Sequence, residues 1–157
     1  MNLFSLLSQN TVLPLFEVQS KKELINELVN TLEEQVESKE QLEEIRTAVF
    51  EREKIMSTGV GKGLAIPHAK TKAVDANLAA FALLKESLPF DSIDGQPVRL
   101  VFLLVGPVSN NSYHIKLLSR ISRLMNSASF REKILSCEDS ECILNAFKDE
   151  EEKYFVN

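Results

Sequence analysis

The chain has 157 residues, 44% of them hydrophobic and 26% charged. These proportions suit one compact folded unit and exclude a disordered or fibrous chain. A formal net charge of −5 speaks against a nucleic-acid binder, which needs a basic face. No apolar stretch approaches the length of a membrane span, and Met1-Asn2-Leu3-Phe4-Ser5 lacks the basic start and long apolar run of a secretory signal. A cytoplasmic protein with no direct membrane insertion is expected. Cys137 and Cys142 match no zinc spacing and make no disulfide framework, so two free thiols are expected.

In chain order, Leu13 to Val18 reads as a short strand, with Pro14 marking a sheet edge. Ser20 and Glu23 form a capping box for a first helix, whose apolar stripe is Leu24, Ile25, Leu28, Val29 and Leu32. Ser38 and Gln41 repeat the signal for a second helix. Leu42, Ile45, Val49 and Phe50 share one of its faces, and Arg52 lies near its C-terminal end. The glycines of Thr58-Gly59-Val60-Gly61-Lys62-Gly63 predict a loop. Leu64-Ala65-Ile66 predicts a short strand stopped by Pro67. Leu78–Leu84 and Val98–Val105 are nearly continuous apolar runs, the mark of strands buried on both faces. A turn at Asp94-Gly95 separates them, and Gly106-Pro107 ends the second. A helix is predicted from Asn111 or Ser112, with one or two shorter helices from about Phe130 and about Asp139. Buried strands alternating with helices predict an α/β fold: a single-domain, three-layer sandwich with a mixed sheet flanked by helices. The domain is expected to occupy residues 1–157, with a core of about 3–150.

The chain has only two histidines. His68 follows the glycine-rich loop and a short strand; His114 falls in the first turn of a helix after a buried strand. In α/β folds the carboxyl ends of strands and the N-termini of helices collect ligands, anions above all. Taken singly, each residue also has a plain structural reading. His68 suits an ordinary loop, His114 the edge of the core, and Arg52 a solvated cation at a helix end. The glycines suit a turn. The loop is no Walker A motif, because no Lys-Ser or Lys-Thr follows Gly63.

Ser57-Thr58-Gly59-Val60-Gly61-Lys62-Gly63-Leu64-Ala65-Ile66-Pro67-His68-Ala69 resembles the active-site signature of the fructose/mannitol-type enzyme IIA family of the bacterial sugar phosphotransferase system. Arg52-Glu53 upstream is similar to the family pattern. So are Phe90 with Asp94-Gly95-Gln96-Pro97-Val98, the run Val101-Phe102-Leu103-Leu104, and His114 heading an apolar helix. The Ser-Thr-Gly opening is more like the fructose and nitrogen-regulatory branches than the mannitol branch. Lys62, which would add a cation beside the site, and Ile115 depart from the usual residues.

The resemblance implies a phosphotransferase component that carries phosphate as phosphohistidine. His68 would accept the phosphoryl group, through Nε2, from the phosphocarrier HPr or its nitrogen-branch relative. Arg52 would hold the charge of the transferring group, and His114 would donate a hydrogen bond to it or orient His68. The glycines would let backbone approach the phosphoryl group, and neither metal nor cofactor is required. The outgoing partner would be a sugar-specific IIB component. An alternative is a regulatory protein that binds partners according to its phosphorylation state; a third is a binding module that is never phosphorylated. The end of the chain at Asn157 without a fused IIB segment tilts the expectation toward a stand-alone regulator. An exposed apolar patch of Val60, Ile66 and Pro67 is expected around His68.

Overall fold

The computed structural model describes residues 2–154. Met1 and residues 155–157, which the expected N-terminus and domain limits include, lie outside the described residues.

Strand β1 (Val12–Phe16) leads into helix α1 (Lys21–Asn30). The Ser20 hydroxyl accepts the Glu23 N–H at 3.1 Å, while the Glu23 carboxylate reaches back to the Gln19 N–H at 3.1 Å. Helix α2 (Lys39–Ile55) starts the same way. Ser38 accepts the Gln41 N–H at 3.1 Å, and the Gln41 side chain accepts the Glu37 N–H at 2.8 Å. Each cap satisfies N–H groups that a helix start leaves open and stabilises it by about 1 kcal/mol.

Strands β2 (Gly59–Gly61), β3 (Leu64–Ala65), β4 (His68–Thr71), β5 (Leu78–Leu88) and β6 (Val98–Pro107) complete a six-stranded sheet of order β1-β5-β6-β3-β2, with β4 also on β6. The sheet is mixed. β5 and β6 pair antiparallel, while β1 joins β5, and β3 and β4 join β6, in parallel. β1 is an edge strand, as Pro14 implied. Three helices follow: α3 (Asn111–Met125), α4 (Ala128–Leu135) and α5 (Ser140–Tyr154). α5 is as long as α3, not a short terminal piece.

The central strands alternate between two cores. Leu100, Phe102 and Leu104 of β6 face α3, α4 and α5, whereas Val98, Val101, Leu103 and Val105 face α1 and α2. The first core holds a cluster in which Phe147 meets Phe81, Phe102 and Phe130 edge-on at 5.2–5.8 Å. Glu151 of α5 is also buried there. Its carboxylate accepts the N–H groups of Leu3 and Phe4 at 2.8 and 2.6 Å and pairs with Arg120 of α3 at 2.8 Å. That pair ties both ends of the described chain to the helix that carries His114.

Four sequence expectations change. The glycine segment is a tight hairpin, not a loop, since β2 pairs antiparallel with β3. Gly61 and Gly63 take φ of 103° and 77°, which closes the turn around Lys62. The strand stopped at Pro67 resumes at His68. Pro67 lacks an N–H and interrupts the ladder, yet its carbonyl accepts the Leu104 N–H at 3.0 Å, and β4 continues along β6. Gly106-Pro107 therefore stays within β6, paired with Lys70 and Thr71. Finally, Cys137 and Cys142 are not free thiols but a disulfide. The Cys137 N–H donates to Ile134 at the end of α4, and Asp139 caps the Cys142 N–H at 2.8 Å. This turn brings the two Cα atoms to 5.6 Å, within disulfide reach.

The hairpin packs on the β5–β6 connection. A Cβ at Gly59 would lie 2.4 Å from Ser92 Oγ and 2.9 Å from Ser92 Cα. The Asp94 carboxylate accepts the N–H groups of Lys62 and Gln96, both at 3.0 Å, and these bonds hold its pKa below the usual range. Gly59→Ala is therefore expected to destabilise the fold by about 1–3 kcal/mol in urea unfolding. A second change, Ser92→Gly, should recover only part of the loss, because the backbone at position 92 still stands in the way. Full stability in Gly59→Ala would show that the connection yields freely.

Candidate functional site

At one edge of the sheet, β4 runs between α2 and α3. A cleft of about 450 Å³ opens there, lined by Arg52 and Ile55 of α2, His68 and Lys70 of β4, and Asn111 and His114 of α3. The three residues singled out in the sequence thus meet in one place. Their convergence depends on the resumed strand β4, since its register puts His68 opposite Leu104 on the face toward α3.

His68 is half-buried. Its Nδ1 lies 2.7 Å from the Ile66 carbonyl oxygen. A carbonyl only accepts, so Nδ1 carries the proton and Nε2 keeps the lone pair. Burial pushes the imidazole pKa below its ordinary value, and the Arg52 and Lys70 cations push the same way; the Ile66 carbonyl and Glu53 oppose them. The ring is consequently neutral and nucleophilic near pH 7.

His114 is 3% exposed, and its ring centroid lies 6.0 Å from that of His68. Asn110 caps α3 by accepting the Tyr113 N–H at 3.3 Å. Burial, and then the positive fields of His68 and Lys70, lower the His114 pKa to about 4. The unfolded chain takes up this proton near pH 6.5, whereas the native chain refuses it until about pH 4. Stability is therefore expected to fall as pH drops through that window, with His68 adding in the same direction. Urea unfolding at stepped pH should show a shallower decline for His114→Gln; equal slopes would mean that His114 is not held neutral.

Arg52 Nη1 donates to the Met56 carbonyl at 2.9 Å, which caps the C-terminal end of α2. The next residue, Glu53, holds the segment that follows the helix. It accepts the Thr58 N–H at 2.8 Å and the Thr58 hydroxyl at 2.5 Å, and it pairs with Lys21 at 2.8 Å. Ser57 Oγ donates to Phe90 O at 2.6 Å. The Ser-Thr opening of the signature thus anchors the hairpin to its surroundings.

Lys70 was not singled out from sequence. It stands two residues after His68 on the same face of β4, and Nζ donates to Asn111 Oδ1. The period-two alternation of a strand is the signal that finds it, once β4 is recognised as a strand. Lys62, by contrast, does not line this cleft. Its Nζ donates to Asn126 Oδ1 at 2.5 Å, at the far end of α3. The expected apolar patch is also different: Val60 is exposed but does not line the cleft, Ile66 and Pro67 are buried, and the exposed apolar residues lining the cleft are Ile55 and Ile115, at 80% and 55%. Nor do the glycines of the hairpin line it. Among the described residues, no group of three or more His, Cys, Asp or Glu is placed to hold a metal ion.

Residues 5–150 match the family described as phosphoenolpyruvate-dependent sugar phosphotransferase system, EIIA 2. The chain belongs to this family. It is 35% identical over 143 residues to a nitrogen regulatory protein of Bradyrhizobium diazoefficiens, covering 91% of this chain and 92% of that one. Its identity to the fructose-specific EIIABC component of Bacillus subtilis is 33% over 145 residues, 92% of this chain. The chain spans only 23% of the length of that relative. Among solved structures, the nitrogen regulatory protein IIA-Ntr of Neisseria meningitidis superposes with a TM-score of 0.86 at 30% identity, covering 92% of this chain and 98% of that one. Members of the EIIA family are phosphotransferase components, and the mixed sheet between two helical layers is their fold. No helix among the described residues is long and apolar enough to cross a membrane.

Proposed function

We propose that the protein is a phosphohistidine carrier in which His68 Nε2 accepts a phosphoryl group from an HPr-like phosphocarrier and passes it to a IIB component. The observation that carries this reading is the 2.7 Å contact between His68 Nδ1 and the Ile66 carbonyl. It leaves a lone pair on Nε2 of a neutral ring that shares a cleft with Arg52, Lys70 and His114.

In the forward step the lone pair of Nε2 attacks phosphorus as the bond to the donor's histidine breaks. The donor ring leaves with that electron pair, and the His68 Nδ1–H stays hydrogen-bonded to the Ile66 carbonyl. The transition state spreads negative charge over three phosphoryl oxygens. Arg52 offers a planar cation with several N–H donors, and Lys70 offers a second positive charge. Transfer onward runs the same step in reverse toward the acceptor.

A second reading is supported by the likeness to IIA-Ntr at a TM-score of 0.86. In that reading the phosphorylation state of His68 decides which protein binds at the cleft, whose rim carries Ile55 and Ile115. About two negative charges arriving beside these side chains would oppose a partner that buries them. One experiment separates the readings. Label the protein from a phosphorylated HPr-like donor, map the label at alkaline pH, and chase with a sugar-specific IIB protein. Loss of label from His68 to IIB within seconds supports the carrier; label that stays on His68 favours the regulator. No label on His68 defeats both.

A further inference from the structure

Behind the cleft, three buried polar atoms lie without a hydrogen-bond partner: Asn77 Oδ1 and both ring nitrogens of His114. Two of them converge on one glycine. A Cβ added to Gly106 would lie 2.5 Å from Asn77 Oδ1 and 2.8 Å from His114 Nδ1. The two side chains therefore flank the same point of β6, and only the absence of a side chain there lets both approach it. One atom is an obligate acceptor, and the other is a nitrogen that donates when it carries the proton. Buried polar groups without partners are rare in folded proteins, and a complementary pair at one point calls for an account.

We propose that Asn77 is the positioning residue of His114: a small turn of either side chain lets the Asn77 carbonyl accept a hydrogen bond from His114 Nδ1–H past Gly106, and this bond reserves Nε2 for the cleft. This rests on the reading of His68 as the phosphoryl carrier, because it gives the reserved nitrogen its task. In the unphosphorylated protein His114 is neutral, with its proton on Nδ1 and its lone pair on Nε2. The charged and titratable groups around it are His68 and Lys70 of β4 and Arg52 and Glu51 of α2. A dianionic phosphoryl group on His68 reverses the balance of charge. The ring then takes a second proton from solvent onto Nε2 and donates it in a hydrogen bond to a phosphoryl oxygen, while Asn77 keeps Nδ1. Without Asn77 the ring is free to place its single proton on either nitrogen and to turn.

Nitrogen-15 spectra of the histidine rings test this directly, because the two tautomers and the doubly protonated ring differ in ring-nitrogen shifts. The unphosphorylated protein at neutral pH is expected to show His114 protonated at Nδ1 only. Asn77→Leu, which keeps the bulk and removes the acceptor, is expected to lose that preference. Asn77→Asp, which keeps an acceptor oxygen, is expected to retain it and serves if the leucine variant does not fold. In the phosphorylated protein His114 should be doubly protonated. The half-life of the phosphohistidine should then fall about tenfold in Asn77→Leu, the order of loss when a partner that orients an imidazole is removed. A His114 ring carrying its proton on Nε2 in the unmodified protein, or one indifferent to Asn77→Leu, would overturn the proposal. Because the tautomer is read without phosphate, that outcome is decisive even if His68 proves not to be the carrier. Label absent from His68 alongside an Asn77-dependent tautomer would defeat the carrier reading and leave the pairing intact.

Discussion

His68→Ala is expected to abolish phosphorylation from an HPr-like donor, with incorporation falling to the background of a donor-free control. The effect is total rather than graded, because the substitution removes the atom that forms the new bond. Electrophilic assistance from Arg52 or Lys70 has nothing to act on without it. His114 does not replace it. Both of its ring nitrogens are buried, at 3% residue exposure, so an incoming donor meets the half-buried His68 first. Fold loss is a poor alternative explanation, since His68 is half-buried at the start of an edge strand and β4 stays anchored to β6 by backbone pairing. Mass spectrometry at alkaline pH, where phosphohistidine survives, locates the modification, and circular dichroism checks the fold. Label on His114, or label persisting in His68→Ala, would reassign the acceptor.

How much of this was legible beforehand depends on range. Local signals read correctly. The Ser20–Glu23 and Ser38–Gln41 patterns cap the helices they announced, and the two apolar runs are strands buried on both faces. His68, Arg52 and His114 were found through a contiguous signature and its flanks, and they do share a cleft. Most of the failures are features decided by contacts distant in sequence. β4 is only four residues long, His-Ala-Lys-Thr, with no apolar run of its own; it is a strand because β6 supplies its pairing. Missing β4 meant missing Lys70. The glycines read as a phosphate cradle or a bare turn, and which they are follows from Ser92 and Asp94, some thirty positions away in the chain. Ile66 looked exposed beside a histidine, yet the sheet buries it at 4%. The disulfide was invisible because a separation of five residues says nothing until the α4–α5 turn fixes the distance. Asn77, far from any motif, is placed near His114 only by the crossing of β5, β6 and α3.

For Arg52→Ala, phosphorylation is expected to slow about a hundredfold, which corresponds to roughly 3 kcal/mol of barrier. The size follows from what is lost: a permanent planar cation lining the cleft, beside the place where charge develops on three phosphoryl oxygens. Arg52 also has a structural use, since its Nη1 donates to the Met56 carbonyl at the end of α2 at 2.9 Å. Losing that exposed bond frays one helix end and costs about 1 kcal/mol or less of stability. A stability loss of this size leaves nearly all molecules folded in an ordinary domain and slows transfer scarcely at all. The two roles therefore separate cleanly in the data. Arg52→Lys keeps the charge but loses the planar fork, so its rate should fall between wild type and alanine. Arg52→Gln keeps donors without charge and should resemble alanine if charge is what matters. His68 itself reports on the cation, because removing Arg52 takes away one of the fields that lower its pKa. Its titration, followed by NMR, should move upward in Arg52→Ala, and less so in Arg52→Lys. That upward shift is a readout that a mere helix cap would not produce. Rapid-quench transfer kinetics indistinguishable from wild type, with an unmoved His68 titration, would return Arg52 to the role of a helix-end cation.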